Sequence, residues 1–252
     1  MARNPPVREE AFERLDGGGP LVISCEHASN RVPAPLRAGP GDRTWLGTHW
    51  GWDIGARSFS LELARLTGAS ALLARFSRLV CDANRPPEHP DLVRKEIEAH
   101  RLGFNRRLDD PELRRRLELY HHPYHQELDR LTAATVARGR GCLLLSVHSF
   151  TPVWGVDLRS TEIGVLYDDH EDQAWRLAKR IRGLGFDAAL NEPYSGKAGL
   201  IYAAARHGRA HGVVFLELEL NQALVATAGR ARRLARRLAP AISTLLPAAP
   251  PD

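Results

Sequence analysis

The sequence predicts one α/β domain built on a mixed, mostly parallel sheet that helices cover on both faces. A chain of 252 residues with 43% hydrophobic content can bury one substantial core. Segments with strand and helix patterns alternate along the chain, which is typical of α/β folds. The best strand candidates, 142–148 and 213–220, are largely apolar, as expected for strands buried on both faces. Proline and glycine near both ends predict frayed termini over about 1–18 and 247–252.

The first half of the chain contains three predicted strands and two predicted helices. The segment PLVISCE (20–26), flanked by glycines and a polar turn, is predicted to be a buried strand. A helix is expected over about 55–66, and strands over 69–74 and 78–82, with Pro86 and Pro87 ending the latter. Apolar residues at helical spacing predict one long helix over about 111–138. Pro123 should kink or break that helix.

The second half contains the most apolar strands. The glycines at 139 and 141 precede CLLLSVH (142–148), which is predicted to be a buried strand. The remaining predicted elements are strands over 162–168, 186–190 and 213–220, and helices over 170–184 and 222–245. No internal repeat or long linker divides the sequence.

The charge pattern argues against nucleic acid as the partner. The chain has a formal charge of +5 and a pI near 9.4, and most of its positive residues are arginines spread over the predicted helices. The densest run, over 230–237, alternates with leucines at helical spacing, as in an amphipathic surface helix. The sequence lacks an apolar run of membrane-spanning length and a secretory-type start, so we expect a cytoplasmic protein. Three cysteines without a CxxC pair do not form a disulfide framework.

Several reactive side chains lie at the ends of predicted strands. They are Glu26, His27, Asp82, His148 and Glu219. In α/β sheets the ligand site lies beyond the carboxyl ends of the strands. Two histidines and one carboxylate are a ligand set that catalytic zinc uses. These residues could equally cap strand ends, and the residue pattern leaves both interpretations open.

Motifs along most of the chain resemble the N-formylglutamate amidohydrolase family. LLLSVHSF (143–150) is also similar to the zinc carboxypeptidase strand that ends in a metal-binding histidine. The motifs shared with the family, in order, are CEHASN with RVP (25–33), WDIGA (52–56), SRLVCDANRP (77–86), YHHPYH (120–125), SVHSFTP (146–152), NEPYSG (191–196) and ELN (219–221). The resemblance implies a zinc-exopeptidase-like three-layer architecture and zinc-dependent hydrolysis of a small N-acyl amino acid.

The resemblance assigns His27 and His148 as metal ligands and Glu219 as the catalytic carboxylate. The HxxE pattern of the carboxypeptidases would place a third ligand at position 30, where this chain has Asn30. The third ligand is therefore open between two carboxylates.

Glu26 and Asp53 are those two candidates. Glu26 would point to the opposite face from His27 if the strand continued, so it can ligate only where the backbone turns. Asp53 could instead cap a helix that begins near Gly55.

The resemblance also implies a substrate site. Asn84 and Arg85 match a pair that holds a substrate carboxylate in related exopeptidases, and the planar fork of arginine suits that task. Arg78 would be a second clamp or an ordinary surface arginine. Tyr194 and Ser195 would form a substrate loop or a simple turn.

Two further pairs have alternative interpretations. Glu217 and Glu219, two apart in a strand, face the same side, so one can be a base that the other orients. His121 and His125 have the spacing of HExxH but lack its glutamate, so we expect them to support the cleft. No GxSxG, GxGxxG or GxxxxGK[ST] motif occurs, so serine-hydrolase and nucleotide chemistry have no support.

The resemblance therefore implies hydrolysis of N-formyl-L-glutamate to formate and glutamate with Zn²⁺ as cofactor, within histidine breakdown. An aspartoacylase-like deacylase, a zinc carboxypeptidase and a non-catalytic anion-binding protein on the same fold are the alternatives. The expected partner is a small acylated amino acid with a carboxylate.

Overall fold

Seven strands form one sheet in the computed structural model, which describes residues 11–139 and 141–246. In chain order they are β1 (Phe12–Leu15), β2 (Leu21–Cys25), β3 (Ser70–Ala74), β4 (Leu143–Phe150), β5 (Ile163–Leu166), β6 (Ala188–Leu190) and β7 (Val214–Asn221). Their order across the sheet is β1-β3-β2-β4-β7-β5-β6. β1–β3 and β7–β5 pair antiparallel, and the other neighbours pair parallel. The predicted mixed, mostly parallel sheet is confirmed.

Helices lie on both faces of this sheet. They are α1 (Pro40–Leu46), α2 (Ala56–Thr67), α3 (Asp110–Arg116), α4 (His122–Val136), α5 (Glu171–Gly183), α6 (Tyr202–His211), α7 (Gln222–Val225) and α8 (Ala228–Ser243). α2, α5 and α8 share one apolar layer with the sheet, while α4 and α6 share the other. The predicted three-layer arrangement is confirmed.

The loops contain several shorter elements. Short 3₁₀ turns span Gly103–Asn105 and Gly196–Ala198. Two short antiparallel ribbons pair Glu96–Ile97 with His100–Arg101, and Val153–Trp154 with Asp157–Leu158. Within the described ranges, no helix is long and apolar enough to cross a bilayer.

The alternation of side chains along the central strands decides which groups reach the site. On β7, Leu216, Leu218 and Leu220 pack into the layer of α2 and α8. Because successive side chains on a strand point to opposite faces, Glu217 and Glu219 point to the face that α4 and α6 cover. The two glutamates of β7 thus lie on the face that α4 and α6 cover.

The predicted strand over 78–82 is wrong. The chain turns there, with the Val80 N–H donating to the carbonyl of Ser77 at 2.8 Å. Its apolar residues are nevertheless buried, which explains the strand-like pattern. The carbonyls of Leu79 and Val80 accept hydrogen bonds from the side chains of Asn105 (2.8 Å) and Arg116 (3.0 Å). These donors satisfy buried backbone groups that a sheet would otherwise pair.

Some element boundaries also differ from the prediction. Residues 12–15, predicted to be frayed, form the edge strand β1, while the predicted frayed residues 1–10 and 247–252 lie outside the described residues. A π-helical turn at Leu117–His121 separates α3 from α4, so the predicted interruption near Pro123 is confirmed. The predicted helix over 222–245 divides into α7 and α8 because Thr227 caps a new helix. Helices α1 and α6 were not predicted.

Candidate active site

A cavity of about 320 Å³ opens at the carboxyl ends of the central strands β2, β4 and β7. Its volume lies within the usual range of small-molecule sites. The charged and imidazole side chains that line it are His27, His49, Asp53, Arg78, Asp82, Arg85, Asp91, Arg94, His148, Glu217 and Glu219. The topology thus brings four of the five predicted strand-end residues, His27, Asp82, His148 and Glu219, to one cavity, whereas Glu26 does not line it.

His27 and His148 meet at the base of this cavity. His27 lies in the turn after β2, and His148 lies on the neighbouring β4. Their rings are 4.7 Å apart in an edge-to-face arrangement, and both side chains are buried. The Nδ1 atoms lie 3.5 Å (His27) and 2.8 Å (His148) from the same atom, Oδ2 of Asp53.

Asp53 is held in place by the backbone around it. Its N–H donates to the carbonyl of His27 at 2.9 Å, and its Oδ2 accepts from the N–H of Ser149 at 3.1 Å. The N-cap of α2 is Gly55, at a φ of 85° that favours glycine, so the carboxylate of Asp53 is not the helix cap. It points at the histidines instead.

A carboxylate also holds the far side of each imidazole. Nε2 of His27 lies 2.6 Å from Oδ1 of Asp82, and Nε2 of His148 lies 3.0 Å from Oε2 of Glu26. Such partners orient the ring and raise the basicity of the nitrogen that faces a metal. Glu26 is fully buried and accepts from the hydroxyls of Tyr124 and Ser146. Glu26 therefore contacts the Nε2 side of His148, whereas Asp53 lies at the Nδ1 side of both histidines.

The side chains of His27, Asp53 and His148 suit a zinc ion. One donor atom from each lies within 4.8 Å of the others. Nδ1 of His27 is buried and has no hydrogen-bond partner among the described residues. Two imidazoles and one carboxylate form the three-ligand set that catalytic zinc prefers. The donor chemistry, the orphaned nitrogen and the supporting carboxylates all match such a site.

Glu217 and Glu219 face the cavity side by side on β7, as predicted from their spacing. Oε2 of Glu217 lies 3.4 Å from both Nε2 of His148 and Nδ2 of Asn84. Oε2 of Glu219 is buried without a hydrogen-bond partner in the described part of the chain. Burial raises the pKa of Glu217 to about 7, and burial with the neighbouring Glu217 raises the pKa of Glu219 well above its usual value. Glu219 therefore has a buried carboxylate oxygen that no described residue engages.

The two predicted arginine clamps differ in their partners. Nε and Nη2 of Arg78 donate to Oδ2 of Asp82 at 3.2 and 2.9 Å, so much of this guanidinium is occupied. Arg85 makes one 3.4 Å contact with Nε2 of His89, and no carboxylate of the described residues forms a salt bridge with it. Arg85 is therefore the arginine available to an incoming anion.

Asn84 lines the cavity but also ties two elements together. Its Nδ2 donates to the carbonyl of Leu200 at 3.1 Å, and its Oδ1 accepts from the N–H of Ala203 at 3.0 Å. Because Ala203 lies in the first turn of α6, Asn84 fixes the end of that helix against the cavity wall.

An aromatic rim surrounds the cavity mouth. Tyr194 lines it, and its hydroxyl accepts from Nη1 of Arg159 at 3.1 Å. Ser195, the other predicted loop residue, precedes the Gly196–Ala198 turn and does not line the cavity. Sequence reasoning missed Trp50 and Trp154, whose ring centroids lie 5.7 Å apart at the rim. The sequence around each tryptophan has no periodic pattern, so nothing in it marked either residue as part of the cavity.

Two solved structures share this architecture. A gene product of Agrobacterium tumefaciens superposes with a TM-score of 0.85 at 28% identity, over 94% of this chain and 96% of that one. An N-formylglutamate amidohydrolase from Ralstonia eutropha JMP134 superposes with a TM-score of 0.73 at 21% identity, over 92% of this chain and 95% of that one. The second likeness, at its low identity, concerns the fold. A search of curated proteins returned no match. The sequence model of the N-formylglutamate amidohydrolase family matches residues 19–226, and the chain therefore belongs to that family of amide-hydrolysing enzymes.

Proposed function

We propose that this amidohydrolase is zinc-dependent and hydrolyses N-formyl-L-glutamate to formate and glutamate. One observation carries the proposal: His27 and His148 are each oriented by a carboxylate so that their Nδ1 atoms face the same oxygen of Asp53. These three side chains would hold the metal. When bound, zinc supplies a Lewis acid and brings the pKa of water close to neutrality.

Glu219 is the proposed general base. Glu219 lines the cavity, and no described residue hydrogen-bonds to its Oε2. Burial raises the pKa of Glu219, which makes its ionised carboxylate a stronger proton acceptor. In the proposed reaction Glu219 accepts a proton from the attacking water and delivers it to the leaving nitrogen. Glu217, with its contacts to His148 and Asn84, supports Glu219 and does not replace it.

Arg85 is the proposed anchor for the substrate carboxylate. No carboxylate in the described ranges forms a salt bridge with its guanidinium, which can therefore form a bidentate pair with an incoming carboxylate. Arg78 contributes positive charge to the cavity, although its guanidinium already donates a hydrogen bond to Asp82. Tyr194 lines the cavity and would contact the substrate there. We further propose that the enzyme acts in histidine breakdown and is cytoplasmic.

A hydrolysis panel tests the proposal. N-formylglutamate, N-acetylglutamate, N-acetylaspartate and a dipeptide would be compared with and without a chelator, and zinc would be measured in the purified protein. We expect the formyl substrate to be hydrolysed fastest, and the chelator to abolish turnover. Faster turnover of N-acetylaspartate or the dipeptide would favour a deacylase or a carboxypeptidase. Turnover that survives complete removal of metal would refute the zinc dependence.

A further inference from the structure

Two buried histidines, His121 and His125, hold the backbone of the segment that carries Asn84 and Arg85. They lie one helical turn apart, where the π-helical turn meets α4, and their exposed fractions are 0% and 2%. Nε2 of His121 lies 2.9 Å from the carbonyl oxygen of Arg85. Nε2 of His125 lies 3.0 Å from the carbonyl oxygen of Ala83. The two rings therefore contact the carbonyls on either side of Asn84.

The chemistry of these contacts defines the tautomers. A carbonyl oxygen only accepts hydrogen bonds, so Nε2 carries the proton in both rings. Nδ1 of His125 then accepts from Nε2 of His207 at 2.9 Å, and the rings of His125 and His207 stack at 19°. Burial lowers the pKa of His121 and His207 to about 4, and that of His125 well below its usual value. The three imidazoles thus work as neutral donors near neutral pH.

The segment itself explains why such donors are needed. Pro86 and Pro87 follow Arg85, and proline offers no N–H for a sheet partner. Residues 83–85 belong to no strand, and the carbonyls of Ala83 and Arg85 accept from imidazole side chains instead of from a neighbouring strand. Among the residues that the structure describes, the guanidinium of Arg85 hydrogen-bonds only to His89, so its position depends on where its backbone is held.

We propose that His121 and His125 are positioning residues that set the place of Arg85, and with it the recognition of a substrate carboxylate. This inference rests on the proposed function, because it assigns the carboxylate clamp of that site. A bidentate pair between an arginine and a carboxylate tolerates little displacement, so a small shift of the Arg85 backbone should weaken binding of anionic substrates selectively. The two histidines, four positions apart, thus position residues 83–85 and do not bind a metal.

The test compares three variants at neighbouring positions. His121→Phe keeps a ring but removes the donor, and His121→Gln restores an N–H near the position of Nε2. His122→Gln is the matched control, because His122 lies in the same motif and is exposed. Kinetics on N-formylglutamate and on the same compound amidated at its carboxylates would be measured for each. We expect His121→Phe to lower kcat/KM for the acid by about tenfold, mainly through KM, and for the amide by less than about twofold.

Two further results must accompany that loss. His121→Gln should recover most of the rate on the acid, and His122→Gln should match the wild type on both substrates. In an Arg85→Lys background, His121→Phe should cost less than about a further twofold, because both changes act on one contact. An equal loss on acid and amide, or full additivity with Arg85→Lys, would overturn the positioning role. If His121→Phe does not fold, His121→Asn, whose amide is too short to reach the carbonyl, takes its place.

Hydrogen exchange separates this inference from the proposed function. The N–H groups of Asn84 and Arg85 donate to Asp82, at 2.9 Å and 3.2 Å, and should exchange slowly. Exchange of a peptide covering residues 82–86 should become at least about threefold faster in His121→Phe and stay unchanged in His122→Gln. If the wild type hydrolysed no substrate of the panel, the proposed function would fail while this measurement still decided the loop placement. Unchanged exchange of this peptide in His121→Phe would overturn the proposed positioning role of His121.

Discussion

Oδ1 of Asp82 lies 2.6 Å from Nε2 of His27, and this contact turns the opposite nitrogen of the ring toward Asp53. Both partners are buried. Burial opposes the charged form of Asp82, but Arg78 and His27 outweigh it and hold its pKa well below the usual value, so the carboxylate is ionised. Asp82 therefore links the arginine side of the cavity to the proposed metal site.

Asp82→Asn should weaken zinc binding without removing a ligand. The amide keeps the shape of the side chain but loses the charge that makes His27 a better donor, so zinc affinity should fall by about 10- to 100-fold. Competition with a chromophoric chelator measures this affinity. Asp91→Asn is the control, since Asp91 lines the same cavity and pairs with Arg94. Equal affinities for wild type and Asp82→Asn would show that the contact does not tune the site.

His27→Ala and His148→Ala should each lose bound zinc and nearly all activity. Each change deletes one of three proposed ligands, which leaves too few donors for tight binding. Zinc is measured by elemental analysis, and folding by circular dichroism. His49→Ala serves as the comparison, because His49 lines the cavity but lies outside the cluster. Retention of stoichiometric zinc by either ligand variant would remove that histidine from the site.

Glu219→Gln should lower kcat by about two to four orders of magnitude with zinc still bound, because the amide cannot accept the proton. Glu217→Gln should be milder, since Glu217 acts through His148 and Asn84. Both variants would be assayed with zinc measured in each preparation. If Glu217→Gln were the inactive variant and Glu219→Gln the mild one, the assignment of the base would be reversed.

Arg85→Lys should lower kcat/KM on N-formylglutamate by about tenfold or more, equivalent to roughly 1.4 kcal/mol. Lysine keeps the charge but cannot form two parallel hydrogen bonds with a carboxylate. Amidated substrate should suffer a comparable loss in the wild type. Arg94→Lys, at an arginine of the cavity that Asp91 already pairs, should have a smaller effect. Equal wild-type rates on acid and amide would mean that no carboxylate is recognised.

The buried His207 should make stability depend on pH. Its pKa is about 4 in the folded protein because burial disfavours the charged ring, against 6.5 for the free side chain. The unfolded chain binds more protons between these values, so stability is fully present above pH 6.5 and is lost as pH falls toward 4. Between about pH 7 and about pH 5 the loss from this group should be about 2 kcal/mol.

The variant His207→Gln isolates that contribution from opposing groups, such as Glu217, whose raised pKa acts in the other direction. Urea unfolding at both pH values gives the free energies. The wild type should lose more stability on acidification than His207→Gln by about 2 kcal/mol. Parallel losses in the two proteins would show that His207 is not held neutral by burial.

The sequence alone was enough to predict several strands and the side chains at their ends. Largely apolar runs predicted β2, β3 and β4 to within two residues at each end, because strands buried on both faces are mostly apolar. The period of two along β7 is enough to place Glu217 and Glu219 on one face of the strand. The histidines at the ends of β2 and β4 were recognisable as a pair because parallel neighbours end at the same edge of a sheet.

Only the tertiary structure decided which carboxylate faces which nitrogen. Glu26 and Asp53 were indistinguishable as candidates, because the choice depends on the direction of the turn after β2 and on the loop before α2. The buried turn at 78–82 has the composition of a strand, since burial and not pairing sets that composition, and its carbonyls are satisfied by Asn105 and Arg116 from distant segments. Donors that are distant in sequence leave no local pattern. Residue types and their periodicity therefore determine which side chains are candidates for the site, whereas tertiary packing determines which groups those side chains contact.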